Sequence, residues 1–116
     1  MASPQLRTEH VGSALVVHLS GDIDLSNVAA LRTRLFDVMD DVDALIVNLS
    51  DTGYVDSTGV RLLFELAERF SRTGQPVRAV VPADALVRRV INLTKLDRVV
   101  ELHETVEDAL ASLGQH

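Results

Sequence analysis

Ala44-Leu45-Ile46-Val47-Asn48-Leu49 is short, almost continuously apolar and bounded by polar residues. That is the pattern of a parallel strand buried on both faces. Ser50 to Thr58 follows as a loop holding Asp51, Gly53 and Asp56. Leu63, Leu66, Ala67 and Phe70 then recur at helical spacing, which predicts a helix over about residues 58–72. A buried strand, a loop and an amphipathic helix form the first half of a parallel crossover. This stretch therefore decides the fold class, and the rest of the chain is read outward from it.

Upstream, Leu15, Val17 and Leu19 share one face of a strand, and Val16 and His18 the other. Residues 4–10 read as a preceding strand, with Gly12-Ser13 as the hairpin turn. Pro4 favours an edge position for it. Ser20-Gly21-Asp22 breaks the strand pattern, and Ser26 or Asn27 is suited to cap a helix. Val28, Leu31, Leu35 and Val38 predict that helix over residues 27–39. Asp40, Asp41 and Asp43 read as a solvated loop.

Downstream, Gly74-Gln75-Pro76 ends the second helix, and Val77 to Val81 is a strand stopped by Pro82. Leu86, Val90 and Leu93 predict the stripe of a third helix, and residues 98–102 a weaker strand. Thr105 with Asp108 resembles a capping box. Val106, Ala109, Leu110 and Leu113 complete a fourth helix. Strands alternating with helices imply an α/β fold with parallel strands and right-handed connections. The N-terminal hairpin adds one antiparallel strand, so the expected sheet is mixed and mostly parallel, with about four helices. The 116 residues are expected to form a single domain, with its core over about residues 5–113.

Composition narrows the function. Leu, Val, Ile and Phe make up about a third of the chain, too apolar for disorder and enough for one continuous core. A net charge of −6 argues against direct nucleic-acid binding, which draws its affinity from Lys and Arg on phosphates. No apolar run approaches the roughly 20 residues that span a bilayer. Met1 to His10 lacks the apolar core of a signal peptide. With no cysteine, disulfides, thiolate metal sites and a cysteine nucleophile are excluded. A cytoplasmic protein is the expectation.

In a parallel sheet, ligands and partners meet the loops at the carboxyl ends of the strands. Three loops are expected there: Gly21 to Ser26, Ser50 to Thr58, and Pro82 to Asp84. They gather Asp22, Asp24, Asp51 and Asp56 at one end of the molecule. Ser57 falls at the expected N-cap of the second helix. On the plain structural reading, Ser57 or Thr58 caps the helix, Asp56 adds charge near its positive end, and Gly59 allows close packing. The functional reading uses the same physics. A serine at a helix start is exposed, and a phosphate there adds about −1.5 to −2 charges to an already acidic surface.

Tyr54-Val55-Asp56-Ser57-Thr58-Gly59, preceded by a buried strand and Asp51, resembles the phosphorylation segment of the anti-sigma-factor antagonists, members of the STAS (sulphate transporter and anti-sigma antagonist) domain family. Ser20-Gly21-Asp22-Ile23-Asp24 is similar to that family's turn after its second strand. Element order and length match from about residue 5 to 113. The resemblance implies a STAS-type fold and a regulatory protein that is not an enzyme and needs no cofactor or metal. It implies binding to an anti-sigma factor that is also a serine kinase of the histidine-kinase-like ATPase fold. Phosphorylation on the serine directly after the aspartate, here Ser57, then releases that kinase to hold its sigma factor, and a serine phosphatase reverses the mark. The partner surface implied comprises Asp22, Asp24, Asp56, Ser57, Thr58, Gly59 and Arg61. Two positions depart from the family pattern. Arg61 stands where small or aliphatic residues are usual, and either faces solvent at the partner surface or contacts a phosphate on Ser57. Lys95 stands where glycine is common.

Rival readings rest on fewer residues. Ser57 as a hydrolase nucleophile needs glycine two residues before it, and Val55 is there. His10, His18, His103 and His116 lie in no motif. No phosphate-cradling or dinucleotide-binding glycine run is present. Asp22 and Asp24 could hold a divalent cation, although two carboxylates in a solvated turn make a weak site. A receiver-like domain would be phosphorylated on Asp51 or Asp56, but lacks its adjacent acidic pair here. A STAS scaffold that is never phosphorylated is the third alternative.

Overall fold

A computed structural model describes residues 4–114; His116 lies outside the described residues. The elements are β1 (Gln5–Val11), β2 (Ala14–Ile23), α1 (Val28–Val38), β3 (Ala44–Val55), α2 (Ser57–Arg72), β4 (Val77–Val80), α3 (Leu86–Thr94), β5 (Glu101–His103) and α4 (Val106–Leu113). A 3-10 turn, Leu96–Arg98, separates α3 from β5. The strands form one sheet in the order β1-β2-β3-β4-β5, with β1 antiparallel to β2 and the other pairs parallel. The α/β class and the edge hairpin are as the sequence predicts. A receiver-type doubly wound sheet places a later strand outside the first, and this sequential order with an antiparallel edge is a different topology.

Both faces of the central strands are covered. On one face Leu15, Val17, Leu19, Leu45, Val47 and Leu49 meet the inner sides of α1, α2 and α3 in the larger core. Leu31 and Leu35 come from α1, and Leu63, Leu66, Ala67 and Phe70 from α2. On the other face Val16, Ile46 and Val80 pack with Ala109 of α4, flanked by Val106, Leu110 and Leu113. The Thr105 hydroxyl caps α4 by accepting from the Asp108 amide at 3.1 Å.

Three expectations are corrected. First, β2 and β3 run on to Ile23 and Val55, through segments read as loops. Their pairing shifts register between His18 and Ser20 and again between Gly21 and Asp22. Such bulges erase the apolar alternation while keeping the strands paired. The Thr52 hydroxyl donates to the Leu19 carbonyl at 2.9 Å, inside the irregular stretch. Second, α3 is rotated from its predicted phase. Val87 and Ile91 are its buried residues, with Val90 at the core margin, while Leu86 and Leu93 are 55% and 75% exposed. In a nine-residue helix both stripes satisfy helical spacing, so periodicity alone cannot choose between them. Third, the weak strand over 98–102 shrinks to three residues, because the chain first makes the 3-10 turn.

Lys95 closes α3 in the left-handed region at φ +66°. A left-handed helix end, for which glycine is the usual residue, is therefore formed here by a residue with a Cβ. That geometry destabilises a non-glycine residue by roughly 1–2 kcal/mol, partly offset by the entropy glycine loses on folding. Replacing Lys95 by Gly should raise stability by about 1 kcal/mol in urea denaturation. A loss of stability would show that the Lys95 side chain holds the turn.

Candidate functional site

The site is built where β2 and β3 end side by side. Asp22 pairs with Tyr54 and Ile23 with Val55, and the Asp56 amide continues the ladder to the Ile23 carbonyl at 3.1 Å. α2 starts at the next residue.

The N-cap of α2 is Asp56, not Ser57 as the sequence suggested. Its Oδ1 accepts from the amides of Thr58 (2.9 Å) and Gly59 (3.2 Å) and from the Thr58 hydroxyl (2.5 Å). Its Oδ2 accepts from the Leu25 amide at 3.1 Å, across from the β2–α1 loop. An aspartate and a serine are both good caps. Asp56 wins because its carboxylate serves both elements at once. The hydroxyl bond from Thr58, then the Gly59, Leu25 and Thr58 amides, hold its carboxyl below its usual pKa, against the opposing effect of burial.

Moving the cap back by one residue changes what Ser57 is. It occupies the first helical position, is exposed, and its hydroxyl has no partner among the described residues. Thr58 is half-buried with its hydroxyl held by Asp56. Gly59 is buried. A Cβ there would lie 2.5 Å from Val55 Cγ1 and 2.9 Å from Ile23 Cγ2, so only glycine lets α2 start this close to both strands. Arg61 is exposed one turn further along α2.

The loop of residues 24–27 is bonded throughout. Asp24 Oδ1 accepts from the Ser26 amide (2.9 Å) and hydroxyl (2.5 Å). Asn27 Oδ1 accepts from the Asp24 amide, and its Nδ2 donates to the Asp22 carbonyl, both at 3.0 Å. Asn27 holds the N-cap position of α1 without a capping bond, because its side chain is committed to the loop. Asp22, Asp24, Asp56, Ser57 and Thr58 are thus brought to one end. Asp51 sits inside β3 opposite Ser20 rather than in an end loop. Among the described residues no cluster of three or more His, Asp or Glu side chains could hold a metal ion. His18 and His103 bond Glu9 and Glu101, and no described histidine bonds Ser57.

The partner surface expected from the sequence omits Leu25, and Tyr54 enters the reading only as part of the motif. They are 75% and 45% exposed at this end of the sheet. A lone apolar residue in a turn carries no periodic signal, and Tyr54 looked like part of a loop until β3 was seen to include it.

The Asp56 cap makes a pH-dependent contribution. With its folded pKa lowered, that contribution is complete above the unfolded value of about 3.9 and fades as pH falls through the folded value. Asp56→Ala should cost about 1–2 kcal/mol near neutrality. The gap to wild type in urea denaturation should narrow below about pH 4. A gap independent of pH would mean the charge on Asp56 is irrelevant to the cap.

Comparison with known proteins gives a consistent result. A family model for the STAS domain matches residues 5–109. The anti-sigma-F factor antagonist RsfB of Mycobacterium tuberculosis is 35% identical over 107 residues, covering 90% of this chain and 84% of that protein. RsfA of the same organism, also an anti-sigma-F factor antagonist, is 32% identical, with 90% and 83% covered. The crystal structure of an anti-sigma factor antagonist from Mycobacterium paratuberculosis superposes with a TM-score of 0.89 at 30% identity, over 97% of this chain and 96% of that one.

Proposed function

The chain belongs to the STAS domain family, among the anti-sigma factor antagonists, and from that premise we propose that Ser57 is the switch of a partner-exchange device. The protein acts as one STAS domain over about residues 5–113, in the cytoplasm. Unmodified, it binds an anti-sigma factor that is also a serine kinase of the histidine-kinase-like ATPase fold, and so frees a sigma factor for transcription. The kinase transfers the γ-phosphoryl of ATP to Ser57 Oγ, with loss of the hydroxyl proton and release of ADP. The phosphorylated protein lets go, and a serine phosphatase resets it. The domain is substrate and switch, not catalyst.

The observation that carries this reading is the division of labour at the start of α2. Thr58 and Asp56 are bonded to each other, whereas the Ser57 hydroxyl is exposed and unengaged. A kinase needs such a hydroxyl. Asp22 and the exposed apolar Leu25 lie at the same end and complete the surface. Asp24, Asp56, Thr58 and Gly59 serve it from behind by fixing its shape.

Capture of the partner from native lysate, followed by phosphosite mapping, tests the assignment. Phosphate is expected on Ser57 alone, with Ser57→Ala unmodified; efficient phosphorylation of that variant at Thr58 would overturn it. A kinase-binding protein that never acquires phosphate would be the constitutive scaffold. In calorimetry, phosphorylated protein should lose affinity for the kinase, and Ser57→Asp and Ser57→Glu should lose part of it with the fold intact, since charge is added outside the core. Unchanged affinity of the phosphorylated form would sink the switch.

The change should also be local. Ser57 is exposed, and the larger buried side chains Leu63, Leu66 and Phe70 of α2 lie more than a turn beyond it, although the buried face already includes Gly59 and Val60. Amide resonances of residues 22–26 and 52–62 are expected to move on phosphorylation, with those of α4 still. Large shifts across residues 86–113 would mean that the partner reads a propagated change of shape.

A further inference from the structure

We propose that Arg61 is a built-in receptor for the phosphate on Ser57, a positioning residue that clamps the mark against the surface of α2. This rests on Ser57 as the modified residue. Residues four apart on a helix are surface neighbours, with Cβ atoms about 5–6 Å apart, and Ser57 and Arg61 stand in that relation on α2. Both are exposed, so neither must leave the core to meet. The order is also the favourable one, with the anion N-terminal to the cation.

Arg61 is free for the role because its other natural partner is taken. Glu65 lies four residues beyond it. That carboxylate is held by Arg32 of α1, whose Nε donates to both oxygens at 2.9 and 3.1 Å and whose Nη2 adds a further bond. The bonds from Arg32 keep Glu65 ionised at lowered pKa. Elsewhere on α2, Arg72 pairs with Glu68, and Arg69 lies over the Phe36 ring. Arg61 is the one arginine of α2 without an ion pair or ring contact among the described residues. Unmodified, it stands one turn along α2 from Ser57 without an ion pair among the described residues; phosphorylation supplies a dianion at that spacing. The other charged groups around it are Asp56 at the cap, Glu65, Glu68 and Arg72 on α2, and Arg98 across the groove formed by α2 with the 3-10 turn. Asp56 directs its carboxylate to four donors rather than to Arg61.

The pairing has a consequence for the switch. A guanidinium takes two phosphate oxygens in a fork. The phosphate is then drawn along the helix face and partly neutralised, so the phosphorylated state persists and presents a defined shape. Arg61 would thus tune how long the mark lasts rather than whether it is made.

Phosphoserine installed at position 57 by recoded translation tests this without any kinase. The second ionisation of a phosphoserine lies near pH 6, and phosphorus NMR follows it directly. Relative to the parent protein, Arg61→Gln should raise that value by about 0.3 pH unit, and Arg61→Lys should retain most of the effect of the arginine. In 1 M salt, where the screening length is about 3 Å, the difference should shrink. Arg98→Gln removes an equal charge from the same groove and should leave the titration nearly unmoved. Thermal unfolding of the unmodified protein should be the same with and without Arg61→Gln. Equal titrations with and without Arg61→Gln, or an equal effect of Arg98→Gln, would overturn the clamp. Neither result bears on whether a kinase chooses Ser57, which phosphosite mapping decides separately.

Discussion

One carboxylate sets the geometry of this end of the molecule. Asp56 stands between β3 and α2, accepts two amides and a hydroxyl from the first turn of α2, and accepts the Leu25 amide from the loop after β2. The first turn of any helix leaves amides without intrahelical partners. Here the residue that answers them also ties down a loop that is 31 positions away in sequence. Helix start, loop and the residue between them are therefore one rigid unit. Gly59 is its necessary companion, since a side chain there would push α2 off Val55 and Ile23 and carry the amides away from the cap.

That rigidity explains how an acidic end can be a precise surface. Among Asp22, Asp24 and Asp56, two spend their charge inward, Asp24 on Ser26 and Asp56 on its four donors. The hydrogen bonds to Asp56 favour its ionised form, and its field adds to whatever Ser57 carries. The loop between β2 and α1 is held just as firmly, so Leu25 is displayed in a fixed place. A preordered surface loses little entropy when a partner binds.

Much of the fold was legible because apolar spacing reports burial. The β1–β2 hairpin, the doubly buried strand at Ala44–Leu49 and the inner face of α2 each follow from residues whose pattern has one solution. Legibility failed where a pattern had two solutions or none. The nine residues of α3 fit two stripes, and only the position of the sheet selects Val87 and Ile91. The strand ends at Ile23 and Val55 are bulged, and a bulge destroys the alternation by which strands are read. At the start of α2, the motif placed the cap one residue late. Asp56, Ser57 and Thr58 are all good capping types, and the choice among them was made by the Leu25 amide, a long-range contact that no local rule contains.

The one-residue difference matters to the chemistry. A serine at the N-cap uses its oxygen to hold the helix. Phosphorylating it would change the capping group itself, drawing phosphate oxygens onto the free amides of the first turn. A serine at the first helical position has no such duty. With Asp56 as cap, Ser57 can gain a phosphate while every bond that starts α2 stays in place. On the proposed reading, the sequence order aspartate-serine separates a group that stays bonded from a group that reacts. Thr58 completes the separation: its hydroxyl is tied to Asp56, which leaves Ser57 the one unengaged hydroxyl of this turn. On this account the aspartate before the serine fixes the backbone, so that the switch can act on charge alone.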